Sequence, residues 1–215
     1  MISIIIPAYN EAQYILSTIQ SIPRTEVKDL EVIVVSDAST DTSAELAKKH
    51  VDLVVQLPQR LGPGGAKHAG AHMAKGDILV FLDADTRLSK GILSEISQRC
   101  QDYSVGTCRI SPDSPKLKHQ FCFSIKNIFC RIFGISNGII FCTKKTYLEE
   151  GGFSLGKGED GILLRSIKRK GKFIFLKKSV ISSVRRFEKK GYLSVLWYWV
   201  KEKYKPSADV YDAIR

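Results

Sequence analysis

The first half of the chain alternates between short apolar runs and amphipathic stretches. Ile2–Ile6 is a compact, mostly β-branched run with the pattern of a buried strand. After Asn10, the apolar residues Ile15, Leu16, Ile19 and Ile22 fall on one helical face, closed by Pro23. Val32–Val35 predicts a second buried strand, followed by a helix through Leu46 with Thr42 and Glu45 spaced as a capping box. Leu53–Val55 predicts a third strand, Leu61–Gly65 a Gly- and Pro-rich loop, Ala66–Lys75 a helix and Asp77–Leu82 a fourth strand. Strands and helices alternating at this spacing imply right-handed crossovers and a mainly parallel sheet. The fold class is therefore α/β, with ligands expected in the loops after Ile6, Val35 and Leu82, at the carboxyl ends of the strands.

The second half is less regular. Val105–Ile110, Gly138–Cys142, Lys172–Leu176 and Val180–Val184 read as strands, and Thr146–Glu150 and Ile162–Arg169 as helices. Phe121–Phe133 and Leu193–Val200 are the most apolar stretches. The first is broken by Lys126 and Arg131 and the second is short, so neither reaches the roughly 18 apolar residues of a membrane span. The N-terminus lacks a basic leader and Pro7 cuts its apolar run, which predicts a strand rather than a signal peptide. With no repeat or linker, the reading is one domain over residues 1–188 and a basic, aromatic appendage over 189–215.

Charge changes this picture more than composition does. The 215 residues carry a formal net charge of +11, which favours anionic partners: sugar nucleotides, anionic lipid or nucleic acid. No nucleic-acid recognition motif accompanies the charge, which makes that partner the weaker reading. Cys100, Cys108, Cys122, Cys130 and Cys142 are odd in number and lack a CxxC pair. They predict reduced, buried thiols rather than a disulfide framework or zinc site, as suits a cytoplasmic protein.

Candidate chemistry sits at the predicted strand ends. Asp83-Ala84-Asp85 places two carboxylates where they can converge on a hard divalent cation, or cap an acidic turn. Asp37 can accept hydrogen bonds from a nucleoside, or cap the following helix. Pro7-Ala8-Tyr9-Asn10-Glu11 makes a turn whose backbone can approach a nucleotide, with Glu11 available to a base or ribose. Gly62 to Lys67 joins a glycine-rich segment to a helix start with a cation in its first turn, suited to phosphate or simply to a tight turn. Glu159-Asp160 precedes an apolar helix and can supply a general base or an N-cap.

In this order, together with Gly151-Gly152-Phe153, these motifs resemble the family-2 glycosyltransferases over residues 1–187. The resemblance implies a single GT-A domain, Rossmann-like, that inverts the anomeric centre by direct displacement with Mn²⁺ or Mg²⁺. It implies that Pro7, Ala8, Tyr9, Glu11 and Asp37 line the nucleoside and that Gly62 and Lys67 lie beside base or phosphate. Asp83 and Ala84 would face the ribose side, and Asp85, with Asp83, would hold the metal on the diphosphate of a UDP- or GDP-type donor. Gly152 would belong to the acceptor loop, and Asp160 would be the base, supported by Glu159.

One departure stands out. Many GT-A enzymes place a further metal ligand, often histidine, beyond the base, yet His50, His68, His72 and His119 all precede Asp160. Ser182–Phe187 occupies the corresponding stretch, so Arg185 or Arg186 is expected to reach the diphosphate, the alternative being a basic strand edge. Tyr192, Trp197, Tyr198 and Trp199 among lysines suit an anionic membrane surface, and the Phe121–Phe133 apolars offer a second such surface. Intramolecular packing or a homodimer contact would use the same residues. A carboxylate base is needed for a hydroxyl acceptor and not for an ionised polyprenyl phosphate. The pair at 159–160 thus points to a glycan hydroxyl, including one on a lipid-linked sugar, with a polyprenyl-phosphate transferase or a silent binding module as alternatives.

Overall fold

The computed structural model describes residues 1–154 and 158–191, without the side chains of Arg186 and Lys190. The appendage from Tyr192 onward, and the side chain of Arg186, lie outside the described residues. The chain runs β1 (Ile2–Ala8), α1 (Ile15–Gln20), β2 (Leu30–Ser36), α2 (Ser43–Lys48), β3 (Leu53–Gln56), α3 (Gly62–Met73), β4 (Ile78–Leu82) and β5 (Thr86–Leu88). It continues with α4 (Ile92–Arg99), β6 (Val105–Pro112), α5 (Leu117–Phe133), β7 (Ile139–Thr143), α6 (Lys144–Glu149), α7 (Glu159–Lys170), β8 (Phe173–Ser182) and α8 (Arg185–Lys190).

The strands form one eight-stranded sheet in the order β3-β2-β1-β4-β7-β6-β8-β5. Pairing is parallel through β3-β2-β1-β4 and between β6 and β8. It is antiparallel at β4–β7, β7–β6 and β8–β5. The alternation along β1 explains the layers. Ile4 and Ile6 face a cluster with Ile15, Ile92, Phe123 and Phe187. Ile5 faces the other side, with Ala66, Tyr147, Leu163 and Ile167. Both faces are covered, so β1 and β2 read as nearly continuous apolar runs, as buried parallel strands do. Each fully buried isoleucine contributes about 1.5–3 kcal/mol.

Several local expectations are corrected. The segment expected as a loop over Leu61–Gly65 contains the first turn of α3, which starts at Gly62. Pro63 is tolerated there because first-turn N–H groups have no intrahelical partner. The Thr42–Glu45 capping box does not form; Asp41 Oδ1 accepts the Ser43 N–H instead. The two strands expected at Lys172–Leu176 and Val180–Val184 are the single β8, with a register shift opposite Cys108 and Arg109 that absorbs exposed Lys177 and Lys178. The basic segment after it is not a strand edge but α8, which runs through the boundary expected between residues 188 and 189. All five cysteines are buried and free. Among the described residues, no helix is long and apolar enough to cross a membrane.

Gly70 sets how closely α3 lies on the sheet. A Cβ at this position would stand 2.5 Å from Ile5 Cγ2 and 2.9 Å from Val35 Cγ2. Both neighbours are packed, so Gly70→Ala is expected to lift α3 and destabilise the fold by about 1–3 kcal/mol. Denaturant unfolding measures this, and an unchanged midpoint would show that the helix can yield.

Candidate active site

The loops after β1 and β2 are tied together before any ligand enters. Asp37 N–H donates to Ala8 O (2.8 Å), Thr40 N–H to Asn10 Oδ1 (2.8 Å), Glu11 N–H to Ser43 Oγ (2.8 Å) and Ala12 N–H to Asp41 Oδ2 (3.1 Å). Asn10 (φ 54°) and Ala38 (φ 56°) take left-handed backbone conformations in these turns. The position is unfavourable for alanine and is held by the surrounding bonds. Pro7 and Ala8 lie at the end of β1, and Tyr9 follows with the Arg60 guanidinium 4.1 Å from its ring centroid.

Asp37 is buried, and its carboxylate accepts from Leu61 N–H (2.7 Å) and Gly62 N–H (2.9 Å). Burial raises its pKa, against the lowering effect of these two bonds. It therefore caps α3 rather than α2, the helix that follows it in sequence. The bond joins the loop after β2 to the start of the segment bearing Lys67.

Two compact charge clusters lie on either side of Asp83-Ala84-Asp85. In the first, Arg185 makes a two-pronged contact with Glu11 (2.7 and 2.5 Å) and lies 3.1 Å from Asp85 Oδ2. Its guanidinium also stands 4.4 Å from the Tyr14 ring centroid. Burial opposes the Arg185 charge, but Glu11 and Asp85 outweigh it and hold the side chain firmly protonated. Burial raises Glu11 despite this pairing.

In the second cluster, buried Lys67 places Nζ 2.6 Å from Asp160 Oδ1 and 3.7 Å from Glu159 Oε1. Nζ also lies 5.2 Å from the Phe153 ring centroid. Burial works against the ammonium, yet Asp160, Glu159 and Asp83 together raise its pKa. Ser136 Oγ donates to the other Asp160 oxygen, Oδ2, at 2.7 Å. Glu159 is more deeply buried than Asp160, and its desolvation, only partly offset by Lys67, pushes it up to about 7. The N-cap of α7 is Gly158, in the left-handed region at φ 74°, so neither carboxylate serves as that cap.

The triplet itself is fixed by its backbone. Asp83 N–H donates to Gly138 O (3.0 Å), and Ala84 O accepts from Thr18 Oγ1 (2.7 Å). Asp85 meets Arg185, whereas Asp83 is near enough to influence Lys67 and Glu159. Gly152 (φ 73°) leads into Phe153, whose N–H donates to Tyr147 Oη (3.3 Å), with His68 Nδ1 3.0 Å from the same oxygen. The structure thus gathers Glu11, Lys67, Asp83, Asp85, Glu159, Asp160 and Arg185 at one end of the sheet. Gly62 and Asp37 are joined to one another by the Gly62 N–H bond to Asp37 Oδ2. Ser136 was not legible as a site residue: a lone serine after an apolar helix carries no motif.

The family model for glycosyl transferase family 2 matches residues 3–142, well over half of the chain. The chain belongs to this family. Glycosyltransferase GlyA of Streptococcus pneumoniae serotype 4 is 26% identical over 91% of this chain and 32% of the relative. The GalNAc(5)-diNAcBac-PP-undecaprenol beta-1,3-glucosyltransferase of Campylobacter jejuni is 29% identical over 52% of this chain and 39% of the relative. The chain therefore spans well under half the length of these curated relatives. Among solved structures, the S. aureus TarS 1-349 complex with UDP-GlcNAc superposes with a TM-score of 0.69 at 22% identity, covering 85% of this chain and 58% of that one. The mannosyltransferase PcManGT of Pyrobaculum calidifontis, in complex with GDP-Man and Mn²⁺, gives 0.70 at 19% identity, over 97% and 65%. At these identities the likeness establishes the fold, an α/β domain of the GT-A kind.

Proposed function

We propose that this domain transfers a sugar from a nucleoside-diphosphate donor to an acceptor hydroxyl with inversion. The observation that carries the reading is the second charge cluster. Asp160 is gripped from both sides by Lys67 and Ser136, next to the Asp83-Ala84-Asp85 turn. A carboxylate oriented in this way can take the proton of an incoming hydroxyl as the new glycosidic bond forms. The tied loops at Ala8–Glu11 and Asp37 offer a preorganised wall for the nucleoside, and Arg185 a cation for the departing diphosphate. Solved neighbours in complex with UDP-GlcNAc and GDP-Man support a UDP- or GDP-type donor.

Asp83 and Asp85 suit Mn²⁺ or Mg²⁺ in donor chemistry. Hard oxygens are required, and one or two carboxylates suffice when substrate phosphates complete the shell. Among the described residues no group of three or more His, Cys, Asp or Glu is arranged to hold a metal ion; in this reading the donor's phosphate oxygens would complete the shell. When bound, the cation neutralises charge on the leaving diphosphate. Arg185 contacts Asp85 through Oδ2, so a cation held by Asp85 would use the other carboxylate oxygen or displace the guanidinium towards Glu11 or the phosphates. The test is calorimetry with UDP or GDP, with and without Mn²⁺. Asp85→Ala is expected to abolish the metal-dependent gain in affinity, and equal gains in both proteins would remove Asp85 from the ligand set.

A further inference from the structure

The described surface has one concentrated apolar feature. Of the eleven exposed large apolar residues, six lie on α5; the others, such as Met1, Met73 and Leu148, are scattered singly over other elements. Single exposed apolars are ordinary, whereas a contiguous patch marks an interaction surface. Leu117 (85% exposed), Phe121 (68%), Ile125, Ile128 (61%) and Ile132 (68%) recur every three or four residues. At 3.6 residues per turn they cover an arc of roughly 80° along a helix about 25 Å long. His119, Cys122, Phe123 and Cys130 occupy the opposite side and are buried. Asn127 fastens that side to β6 by exchanging bonds with the N–H and C=O of Ile110, both at 2.8 Å. The helix is thus fully packed on its inner face while displaying a second apolar face.

The charge around that face selects its occupant. By the same helical arithmetic, Lys118 borders the stripe on one side and Arg131 on the other. From Ser114 to Leu148 the sequence contains no aspartate or glutamate. Lys116 approaches Glu188 of α8 (Nζ–Oε1 3.7 Å), and Phe123 stacks near Phe187 (5.3 Å), so α8 lies alongside and adds exposed Lys189. An apolar stripe between two cationic edges matches the boundary of acyl chains and anionic headgroups. A second copy of this chain would bring those cationic edges against its own.

We propose that α5 lies in the plane of an anionic lipid bilayer, with Phe121, Ile125, Ile128 and Ile132 at the acyl boundary. The C-terminus of α5 passes through Gly134 and Ile135 directly to Ser136, the residue that holds Asp160. Docking by this helix therefore sets the acceptor side of the site at the membrane surface, which names the acceptor class as one carried on a lipid. That last step rests on the proposed glycosyl transfer; the docking itself does not.

Co-sedimentation of the full chain with vesicles of phosphatidylcholine alone, or mixed with phosphatidylglycerol, tests the docking. The wild type is expected to bind the anionic vesicles, and Phe121→Glu with Ile128→Glu to weaken that binding at least about tenfold. Lys118→Glu with Arg131→Glu is expected to weaken binding to anionic vesicles and leave phosphatidylcholine unaffected. Nucleotide affinity should be unchanged in both variants, since neither pair touches the site. That readout also separates failure of docking from failure of the donor reading. Wild-type protein remaining in the supernatant would overturn the proposal, as would equal sedimentation of the Phe121/Ile128 variant. A variant that loses dimerisation or thermal stability without losing vesicle binding would instead assign the face to a second copy or to the chain's own remaining residues.

Discussion

Asp160→Asn is expected to keep nucleotide binding and lower transfer by on the order of 10²-fold or more. Asparagine retains the volume and an oxygen that can accept from Lys67 or Ser136, now 2.6 and 2.7 Å away, but it cannot take a proton from an acceptor hydroxyl. Lys67 does not become an orphan charge in this variant. Asp160 is among the groups that raise Glu159, so its neutralisation lowers Glu159 from about 7 and leaves a carboxylate near the ammonium. The fold should therefore survive, and the loss should appear in turnover rather than in donor affinity. Single-turnover release of nucleoside diphosphate, alongside calorimetry with UDP or GDP, separates the two. Undiminished transfer would exclude Asp160 as the base. A drop of only a few-fold would point to an acceptor already ionised, such as a phosphate.

The parts of this molecule that were legible in sequence share one property: their signal is local. β1, β2 and β4 are buried on both faces, so each is an apolar run, and the βα alternation implies their parallel pairing, though not their order. The antiparallel half hid its elements. β5 has three residues, one of them an arginine, and exists because it pairs with the end of β8. α4 rests on Ile92, Leu93 and Ile96 after a left-handed Gly91, too short a period to stand out. α5 was visible only as an apolar stretch broken by Lys126 and Arg131, because two apolar faces on one helix blur the periodicity that defines either.

The site divides in the same way. The residue types at strand ends announced themselves, but their partners did not. Glu11 meets Arg185 and Lys67 meets Asp160 across 174 and 93 residues of chain. Such pairings are products of sheet order, which places the β1 loop, the turn after β4 and the segment after β8 at one end of the molecule. Asp37 shows the same limit on a smaller scale. Its carboxylate at a strand end was evident, whereas its choice of the α3 backbone over the nearer α2 follows from where α3 packs.

Lys67→Met is expected to produce the largest loss of stability, about 3–5 kcal/mol. Methionine fills much of the same volume beside Phe153, so packing is largely preserved and the loss is electrostatic. What remains is Glu159 and Asp160 beside Asp83 without the buried ammonium that offsets them. For a domain of this length the melting temperature should fall by roughly 10 °C. The deficit should also depend on pH, with a determined sign. Glu159 already titrates near 7 in the folded protein, above its ordinary value of 4.5, and loss of Lys67 raises it further. A carboxyl raised on folding binds its proton more tightly in the native state. Its contribution is complete below about 4.5 and lost as pH rises through the folded value. The gap between variant and wild type should therefore be smaller near pH ~5 than near pH ~8, where the wild type ionises Glu159 beside Lys67 and the variant must keep the carboxyl protonated or ionise it without a cation. Thermal melts at the two pH values measure this directly, with Lys67→Arg as the charge-preserving control. Equal gaps at both would mean that the loss comes from packing around Phe153 and not from an uncompensated carboxylate pair.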